Sequence, residues 1–476
     1  MTLRFLFAAL LLALSTLSWS ADNLPDLGDV SETAISAQQE RRLGESIMQQ
    51  IRANRAYLDD LEVVEYLNAL GHRLAFQSQD LRFSFEFFGI NDPSVNAFAL
   101  PGGFIGVHTG LLLTAESESE LASVLGHEVA HVSQRHLARL IAAQQKSQVA
   151  SIAALALAIL AARSSPDLAQ AAVAGAQYAS IQTQLNFTRD HEREADRTGL
   201  QLLEKAGFDV RAMPVFFERL QRATRVYDSN APSYARTHPV TYERIADIQN
   251  RVEGLPYRQV PDSLDFLLLR TKLQVRQMRA QEALPYFESQ LKEKRFTSEA
   301  ATRYGLVAAL LEAKKIAQAV EALPSLWDVT KHHAVADTLA GQVLAAAADA
   351  KAASAFYERA YVRHPKHRAL VTDYARLLLA QQRPAEALKL TSALLATGIN
   401  DARLYELQAR SYAGLGKRLQ QHRSQAEAYL LQGSLPAGIE QLELGLRAGD
   451  GDYYESSSAE ARLKELKLLD AELRRK

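Results

Sequence analysis

The chain has 476 residues, which is too long for one hydrophobic core, so two or more domains are expected. Its 54 lysine and arginine residues balance 55 aspartate and glutamate residues, which gives no electrostatic reason to expect a nucleic-acid partner. The sequence contains no cysteine, which excludes disulfides, cysteine-ligated zinc and a lipid-modified N-terminal cysteine.

The first twenty residues have the pattern of an export signal. An arginine precedes the apolar run 5–14, and Ser18 and Ser20 place small residues before a cleavage site. The run is shorter than a membrane span. We therefore expect residues 1–20 to be removed, the mature chain to begin near Ala21, and the protein to reach a bacterial periplasm. A retained N-terminal anchor is the alternative.

Helical and strand patterns follow a mostly polar linker. Apolar residues at three- and four-residue spacing predict helices over 37–55 and 61–76, and alternation predicts a strand over 81–87. The stretch 96–110 predicts two short strands around a Pro-Gly-Gly turn at 101–103. Glycines at this point would let an extended substrate approach the edge of the sheet. An ordinary hairpin is the alternative.

Residues 127–131 read His-Glu-Val-Ala-His within a stretch of helical pattern. Histidines four residues apart project from one helix face, so His127 and His131 can share one Zn²⁺ through their ring nitrogens. Glu128 then faces a metal-bound water and is the predicted general base. This pattern is expected by chance only about 0.02 times in a chain of this composition.

An apolar segment follows the motif helix. Residues 149–162 are an almost unbroken run of alanine, leucine and isoleucine, and 168–179 is a second alanine-rich stretch. Each is shorter than the roughly 18 residues that span a bilayer. We predict an apolar helical hairpin over 149–180 that packs over the site or rests against a membrane surface. A buried core helix is the alternative.

Two histidines need a third protein ligand, for which a carboxylate is a usual choice. Glu192 and Asp196 lie four residues apart on one predicted helix and therefore share a face. Glu192 is the predicted metal ligand, and Asp196 is predicted to orient a ligand histidine from behind. The alternative is a solvated acidic face on a surface helix.

Three nearby residues fit the metal less well. His191 is a rival ligand, but its ring would leave the face that Glu192 and Asp196 share. Glu194 lies about 160° around the helix from Asp196 and is expected to be solvated or paired. His136 is nine residues from His127 and half a turn out of phase, so we exclude it as a ligand.

These motifs together resemble the M48 zinc metallopeptidases. The resemblance is carried by His-Glu-x-x-His, by the later Glu-x-x-x-Asp and by the upstream Asn-Ala-Phe-Ala-Leu-Pro-Gly-Gly stretch, and it covers nearly the whole mature chain. It implies His127, His131 and Glu192 as ligands and Glu128 as general base. The segment 149–180 stands where membrane-bound relatives have spans but is short, so the enzyme is expected to be soluble or peripheral.

His238 stands in an Arg-Thr-His-Pro loop before a predicted helix, and the M48 family carries a His-Pro at this point. The resemblance implies that this histidine approaches the metal and restrains activity. It would then be an inhibitory fourth ligand. A donor to the oxyanion and a loop histidine that caps the next helix are the two alternatives.

A boundary near 255–262 precedes an almost wholly helical pattern. Small residues recur there at an interval of 34, which is typical of tetratricopeptide repeats. Two series show this interval: Gly341, Ala375 and Ala409, and Ala319, Ala353 and Ala387. Pro365 closes one unit as in such a repeat. The alternative is an unrelated alanine-rich bundle. The interval fails after Gly416, so the last repeats are predicted to be offset or wrapped back.

The predicted fold is α+β and mostly helical. A zincin-like metallopeptidase domain with a small sheet covers 21–258, and an all-α tetratricopeptide-repeat domain covers 262–476. One Zn²⁺ per chain is expected as cofactor. Repeat arrays have concave faces that bind extended partners.

The predicted function is that of a periplasmic zinc metalloendopeptidase whose repeats deliver misassembled clients. The resemblance implies that it helps outer-membrane β-barrels and the lipopolysaccharide-export barrel to assemble and degrades those that stall. Its expected partners are unfolded outer-membrane proteins and the β-barrel assembly machinery. The alternative is a scaffold or chaperone with a latched, seldom used metal site, but a scaffold has no need of Glu128.

Overall fold

The computed structural model describes residues 35–78, 83–143, 189–226 and 233–474. The predicted export signal 1–20 and the predicted hairpin 149–180 lie outside the described residues. Within the described ranges, no helix combines the length and the apolar character needed to cross a membrane.

The N-terminal part combines helices with one small sheet. In chain order its elements are α1 (Ala37–Ala53), α2 (Leu61–Ala75), β1 (Glu86–Ile90), β2 (Ala97–Leu100), β3 (Phe104–His108), α3 (Thr109–Thr114), α4 (Glu118–Ser133), α5 (His136–Ala143), α6 (Arg189–Lys205), α7 (Ala212–Val226), α8 (Ser233–Thr237) and α9 (Tyr242–Glu253).

Helices alone make up the rest of the described chain. They are α10 (Leu264–Gln277), α11 (Ala280–Glu293), α12 (Glu299–Glu312), α13 (Ile316–Thr330), α14 (Ala334–Ala346), α15 (Ala350–Arg363), α16 (Arg368–Ala380), α17 (Pro384–Leu395), α18 (Ala402–Gly414), α19 (Arg418–Leu431), α20 (Leu435–Ala448) and α21 (Tyr453–Arg474). The predicted fold class, a mostly helical α+β part followed by an all-α part, is confirmed.

The sheet has the order β1-β3-β2, with β1 parallel and β2 antiparallel to β3. Gly102 and Gly103 connect β2 to β3 with φ of 79° and 89°, a backbone region that favours glycine. The two strands around this turn are therefore as predicted, and β2 lies at one edge of the sheet. Residues 81–82 of the strand predicted over 81–87 lie outside the described residues, and from residue 83 on the strand is displaced, because β1 begins at Glu86. Residues 87–90 are all buried, so burial on both faces sets the strand rather than alternation.

Helix α4 carries the His-Glu-x-x-His motif through the middle of the N-terminal part. Ser117 caps its first turn, and nearly all of its residues are buried. It packs against α6 at two glycines: a Cβ at Gly126 would lie 3.2 Å from the Gly199 oxygen, and a Cβ at Gly199 would lie 3.0 Å from the His127 nitrogen. Because neither glycine has a side chain, the two helix backbones can approach closely at the level of His127.

The small residues that predicted the repeats are buried between helices. The six are Gly341, Ala375, Ala409, Ala319, Ala353 and Ala387. At Gly341 the ring of Tyr357 comes within 2.4 Å of where a Cβ would stand, so a larger residue would displace the ring. Near the C-terminal end, the space beside Gly433 is occupied by the side chain of Gln49 on α1, 3.3 Å from an ideal Cβ. The array thus returns to the first described helix.

The repeats meet the N-terminal part through buried charges at the start of α2. Lys272 on α10 lies 2.8 Å from Asp60 and 2.6 Å from Glu62, and both carboxylates are almost fully buried. Arg276 contacts Asp60 at 2.5 Å, and His367 contacts Glu62 at 3.0 Å. The apolar core is also continuous across this boundary. The repeats are therefore held against α2, beside the sheet.

We predict that Lys272→Met lowers the free energy of unfolding by about 3 kcal/mol, because it leaves buried carboxylates short of a partner. Although burial opposes it, Lys272 holds the pKa of Asp60 and of Glu62 below the ordinary values. Their contribution is present above the unfolded pKa of about 4 and is lost as the pH falls through the lower folded pKa. Urea denaturation should therefore show the deficit at pH 7 and a smaller one below about pH 4.

The matched control is Lys292→Met at an exposed position of α11, expected to stay within about 0.5 kcal/mol of the wild type. Equal stability of the two variants at pH 7 would contradict the role given to Lys272.

Candidate metal centre

Four side chains from three parts of the fold meet at one buried point. Helix α4 supplies His127 and His131, α6 supplies Glu192, and the loop between α8 and α9 supplies His238. One ligand atom from each lies within 4.8 Å of the others, and all four residues are buried. The structure therefore brings together both motif histidines, the predicted third ligand and the histidine of the His-Pro loop.

The spacing of these atoms fits a tetrahedral metal ion. The Nε2 atoms of His127 and His131 are 2.9 Å apart, and His238 Nδ1 lies 3.4 Å from His127 Nε2 and 3.0 Å from Glu192 Oε1. Glu192 Oε2 lies 3.5 Å from His127 Nε2, and Glu192 Oε1 lies 3.5 Å from His131 Nε2. Ligand atoms about 2.1 Å from a zinc ion in a regular tetrahedron are about 3.4 Å from one another. A donor set of three imidazoles and one carboxylate also suits zinc.

Asp196 lies behind His127, as its spacing from Glu192 predicted. Its Oδ1 is 3.0 Å from His127 Nδ1, the nitrogen that faces away from the cluster. Although burial works against it, hydrogen bonding to Asp196 and Glu192 raises the pKa of His127 to about 9. A carboxylate in this position fixes the ring orientation and strengthens the imidazole as a ligand.

Arg244 on α9 holds both carboxylates of α6, a role that sequence reasoning missed. Its Nε and Nη2 donate to the two oxygens of Asp196 at 2.7 Å each, and its Nη1 lies 2.7 Å from Glu192 Oε2. Burial opposes ionisation of Glu192, but His238 and Arg244 hold its pKa well below the ordinary range. The sequence feature that could have identified this role is an arginine six residues after His238, on the helix that follows the His-Pro loop.

Glu128 is buried beside the cluster and is not part of it. Neither of its carboxylate oxygens accepts a hydrogen bond from a described residue, and His238 Nε2 lies 3.5 Å from one of them. Burial raises the pKa of Glu128 above its ordinary value. A carboxylate of raised pKa at a metal cluster is suited to take and return a proton.

Tyr234 is a second residue that the sequence analysis missed. Its ring stacks on His238 at a centroid distance of 4.7 Å, and its fully buried hydroxyl has no hydrogen-bond partner among the described residues. Burial, reinforced by the charge of Glu128, raises the pKa of the phenol well above its ordinary value. Tyr234 is therefore a neutral donor beside Glu128. Its position one helical turn before His238 was the signal that could have identified it.

The residues that the sequence analysis set aside lie outside the four-atom cluster. His136 lies behind His131, His191 stacks on His136 at 4.5 Å, and Glu194 pairs with Arg139 at 2.9 Å. The next helix, α9, is capped by Thr241, which accepts from the Arg244 nitrogen. That cap is not supplied by His238, so the capping alternative for His238 is not supported.

Comparison with known proteins agrees with this geometry. Residues 62–252 match the model of Peptidase family M48, and residues 344–411 match a tetratricopeptide repeat model.

The β-barrel assembly-enhancing protease of Yersinia pestis is 31% identical over 460 residues, which are 95% of this chain and 93% of that protein. The Escherichia coli (strain K12) protein of that name is 32% identical over 88% of this chain and 86% of its own length. A third relative, from Vibrio cholerae and named for the same activity, is 40% identical over 305 residues, 64% of this chain and 63% of that protein. With these relatives matched over most of its length, the chain belongs to the M48 metallopeptidases and carries tetratricopeptide repeats behind its peptidase domain.

Proposed function

We propose that this metallopeptidase is a periplasmic zinc endopeptidase that acts on outer-membrane β-barrel proteins which fail to assemble. The observation that carries the proposal is the buried cluster of three imidazoles and one carboxylate with Glu128 beside it. Burying a carboxylate without a hydrogen-bond partner destabilises the fold. Groups of this kind cluster at catalytic sites, where a carboxylate can transfer protons.

In this proposal His127, His131 and Glu192 hold the zinc ion, and Asp196 and Arg244 keep the ligands in orientation. When bound, zinc acidifies a water molecule and polarises the scissile carbonyl. Glu128 accepts a proton from the attacking water at its carboxylate and passes it to the nitrogen of the leaving amine. Tyr234 donates its phenolic hydrogen to the oxygen on which negative charge develops.

The edge strand β2 is proposed to bind the substrate. It pairs with β3 on one side and packs near α4, so an extended peptide added to its other edge would run past the motif helix. The cavity between β2 and His131 has a volume of only about 20 Å³, enough for a water molecule. A peptide needs more room than this cavity offers, so we propose a closed resting state that opens for a substrate.

His238 is proposed to be the latch of this closed state. The imidazole of His238 would serve as a fourth protein ligand in place of the catalytic water, the donor number of a structural zinc site. His238 is 2% exposed and lies within 3.4 Å of atoms of both His127 and Glu192, which supports this role. A client that pulls on the His-Pro loop or on the segment 149–180 would release it.

The proposed location and partners rest on the sequence and on the relatives. The pattern at 1–20 supports export, and relatives named for enhancing β-barrel assembly support a role beside the barrel-assembly machinery and the lipopolysaccharide-export barrel. The repeats would hold unfolded clients, and the segment 149–180 would meet the membrane surface. The rival function, a scaffold or chaperone with a latched site, gives Glu128 no role.

Glu128→Gln should retain one zinc per chain and abolish peptide cleavage, because the amide cannot accept the proton of the attacking water. His127→Ala and Glu192→Ala should lose the zinc as well, because each removes a ligand. Elemental analysis and casein cleavage separate the two effects. Full zinc in Glu192→Ala would remove that residue from the ligand set, and cleavage by Glu128→Gln would exclude it as the base.

His238→Ala should raise the rate of cleavage of a generic unfolded substrate without loss of zinc, because the fourth position becomes open to water. An oxyanion donor at this position predicts the opposite sign, a fall in turnover on the order of 10²–10³-fold. A rate assay at saturating zinc distinguishes the two roles, and a slower variant would exclude the latch.

Tyr234→Phe should lower kcat by about 10²–10³-fold while zinc content stays unchanged, because only the hydrogen-bond donor is removed. The change keeps the ring that stacks on His238. Tyr242→Phe is the matched control, since that ring is exposed at the start of α9. Equal kcat in the wild type and Tyr234→Phe would show that the phenol takes no part.

A further inference from the structure

His131 is supported differently from His127. Its Nε2 faces the cluster, 2.9 Å from the Nε2 of His127, so its Nδ1 points away from the cluster. That nitrogen lies 2.8 Å from Nδ1 of His136, the first residue of α5. His127 is backed by the carboxylate of Asp196, whereas His131 is backed by a second imidazole.

His136 is itself held by Glu194. Its Nε2 lies 3.3 Å from Glu194 Oε2, and Arg139 donates to the same oxygen at 2.9 Å. The ring of His191 stacks on His136 with an interplanar angle of 16°, which restricts rotation of the imidazole. His136 is fully buried, whereas the side chain of Glu194 is 36% exposed, so the contacts lead from the cluster to the surface.

One arrangement of protons is consistent with the contacts of His131, His136 and Glu194 described above. A histidine that binds a metal through Nε2 carries its hydrogen on Nδ1. His131 therefore donates to Nδ1 of His136, which must be the acceptor, and the hydrogen of neutral His136 lies on Nε2. That nitrogen lies 3.3 Å from the carboxylate of Glu194, which the guanidinium of Arg139 also contacts.

We propose that His136 and Glu194 are positioning residues that fix the tautomer and ring orientation of His131 for metal binding. The proposal rests on the proposed zinc site. Partners of this kind behind a ligand histidine govern metal affinity, and their loss typically costs about 10–100-fold. Glu194 favours the hydrogen of His136 on Nε2 by its negative charge 3.3 Å away, although it lies two residues from Glu192 and is not one of the four cluster residues.

The test measures zinc affinity of the full-length mature protein by competition with a chromogenic chelator, so the readout is independent of proteolysis. Glu194→Ala should bind zinc about 10–100-fold more weakly than the wild type. Asp190→Ala is the matched control, because it removes the same charge from the same helix. The side chain of Asp190 is 92% exposed. It should bind zinc like the wild type.

Two variants of His136 test the buried contact. His136→Asn keeps an oxygen that can accept from His131, and His136→Leu removes the acceptor. The asparagine variant should therefore retain more affinity than the leucine variant. Thermal unfolding of each metal-free variant shows whether the fold is intact. Because Glu194 is partly exposed, Glu194→Ala still tests the proposal if the His136 variants do not fold.

The outcomes separate this proposal from the function on which it rests. A wild type that binds no zinc overturns the metal centre itself. A wild type that binds one zinc, together with Glu194→Ala of equal affinity, overturns only the positioning role. Equal weakening in Glu194→Ala and Asp190→Ala overturns it as well, because a general loss of negative charge would then explain the effect.

Discussion

The close packing of α4 against α6 is the constraint on which the rest of the site depends. A metal ion of tetrahedral geometry needs its ligands within a few ångströms, and these ligands come from two helices and a loop that are far apart in the sequence. Gly126 and Gly199 leave no side chain between the two helices at the level of His127. The carboxylate of Glu192 can therefore reach both motif histidines, at 3.5 Å from each.

Packing of this kind removes several charged groups from water. Ion pairs among these groups offset the free-energy cost of their burial. Arg244 is the centre of that arrangement, because its single guanidinium contacts both Asp196 and Glu192. Breaking such a group by removing one member is costly, since the remaining charges stay buried without a partner. Glu128 is the exception, with no hydrogen-bond partner among the described residues, and it is the residue to which the proposed chemistry assigns a proton.

Much of the site could be predicted because its signals are local. The four-residue spacings of His127 with His131 and of Glu192 with Asp196 place each pair on one helix face whatever the fold. The 34-residue interval is likewise visible in the sequence, because each repeat needs a small residue where its helices meet. At Gly341, for example, the Tyr357 ring occupies the space of a side chain.

The missed features depend on tertiary contacts. Tyr234 and Arg244 gain their roles only when α8 and α9 pack over α4 and α6, an approach that no local pattern records. His136 was excluded as a ligand by its phase and lies outside the four-atom cluster, but the same reasoning could not show that its ring would lie behind His131. The start of β1 was misplaced because burial on both faces, rather than alternation, defines that strand.

The central claim is that one zinc ion is held by four protein side chains in the resting protein. A crystal structure of the zinc-loaded protein without substrate, with the anomalous signal of zinc, tests it most directly. The account predicts one zinc peak about 2.0–2.1 Å from Nε2 of His127, Nε2 of His131, a Glu192 oxygen and Nδ1 of His238. A zinc peak elsewhere, or a water molecule at the fourth position with His238 turned away, would contradict it.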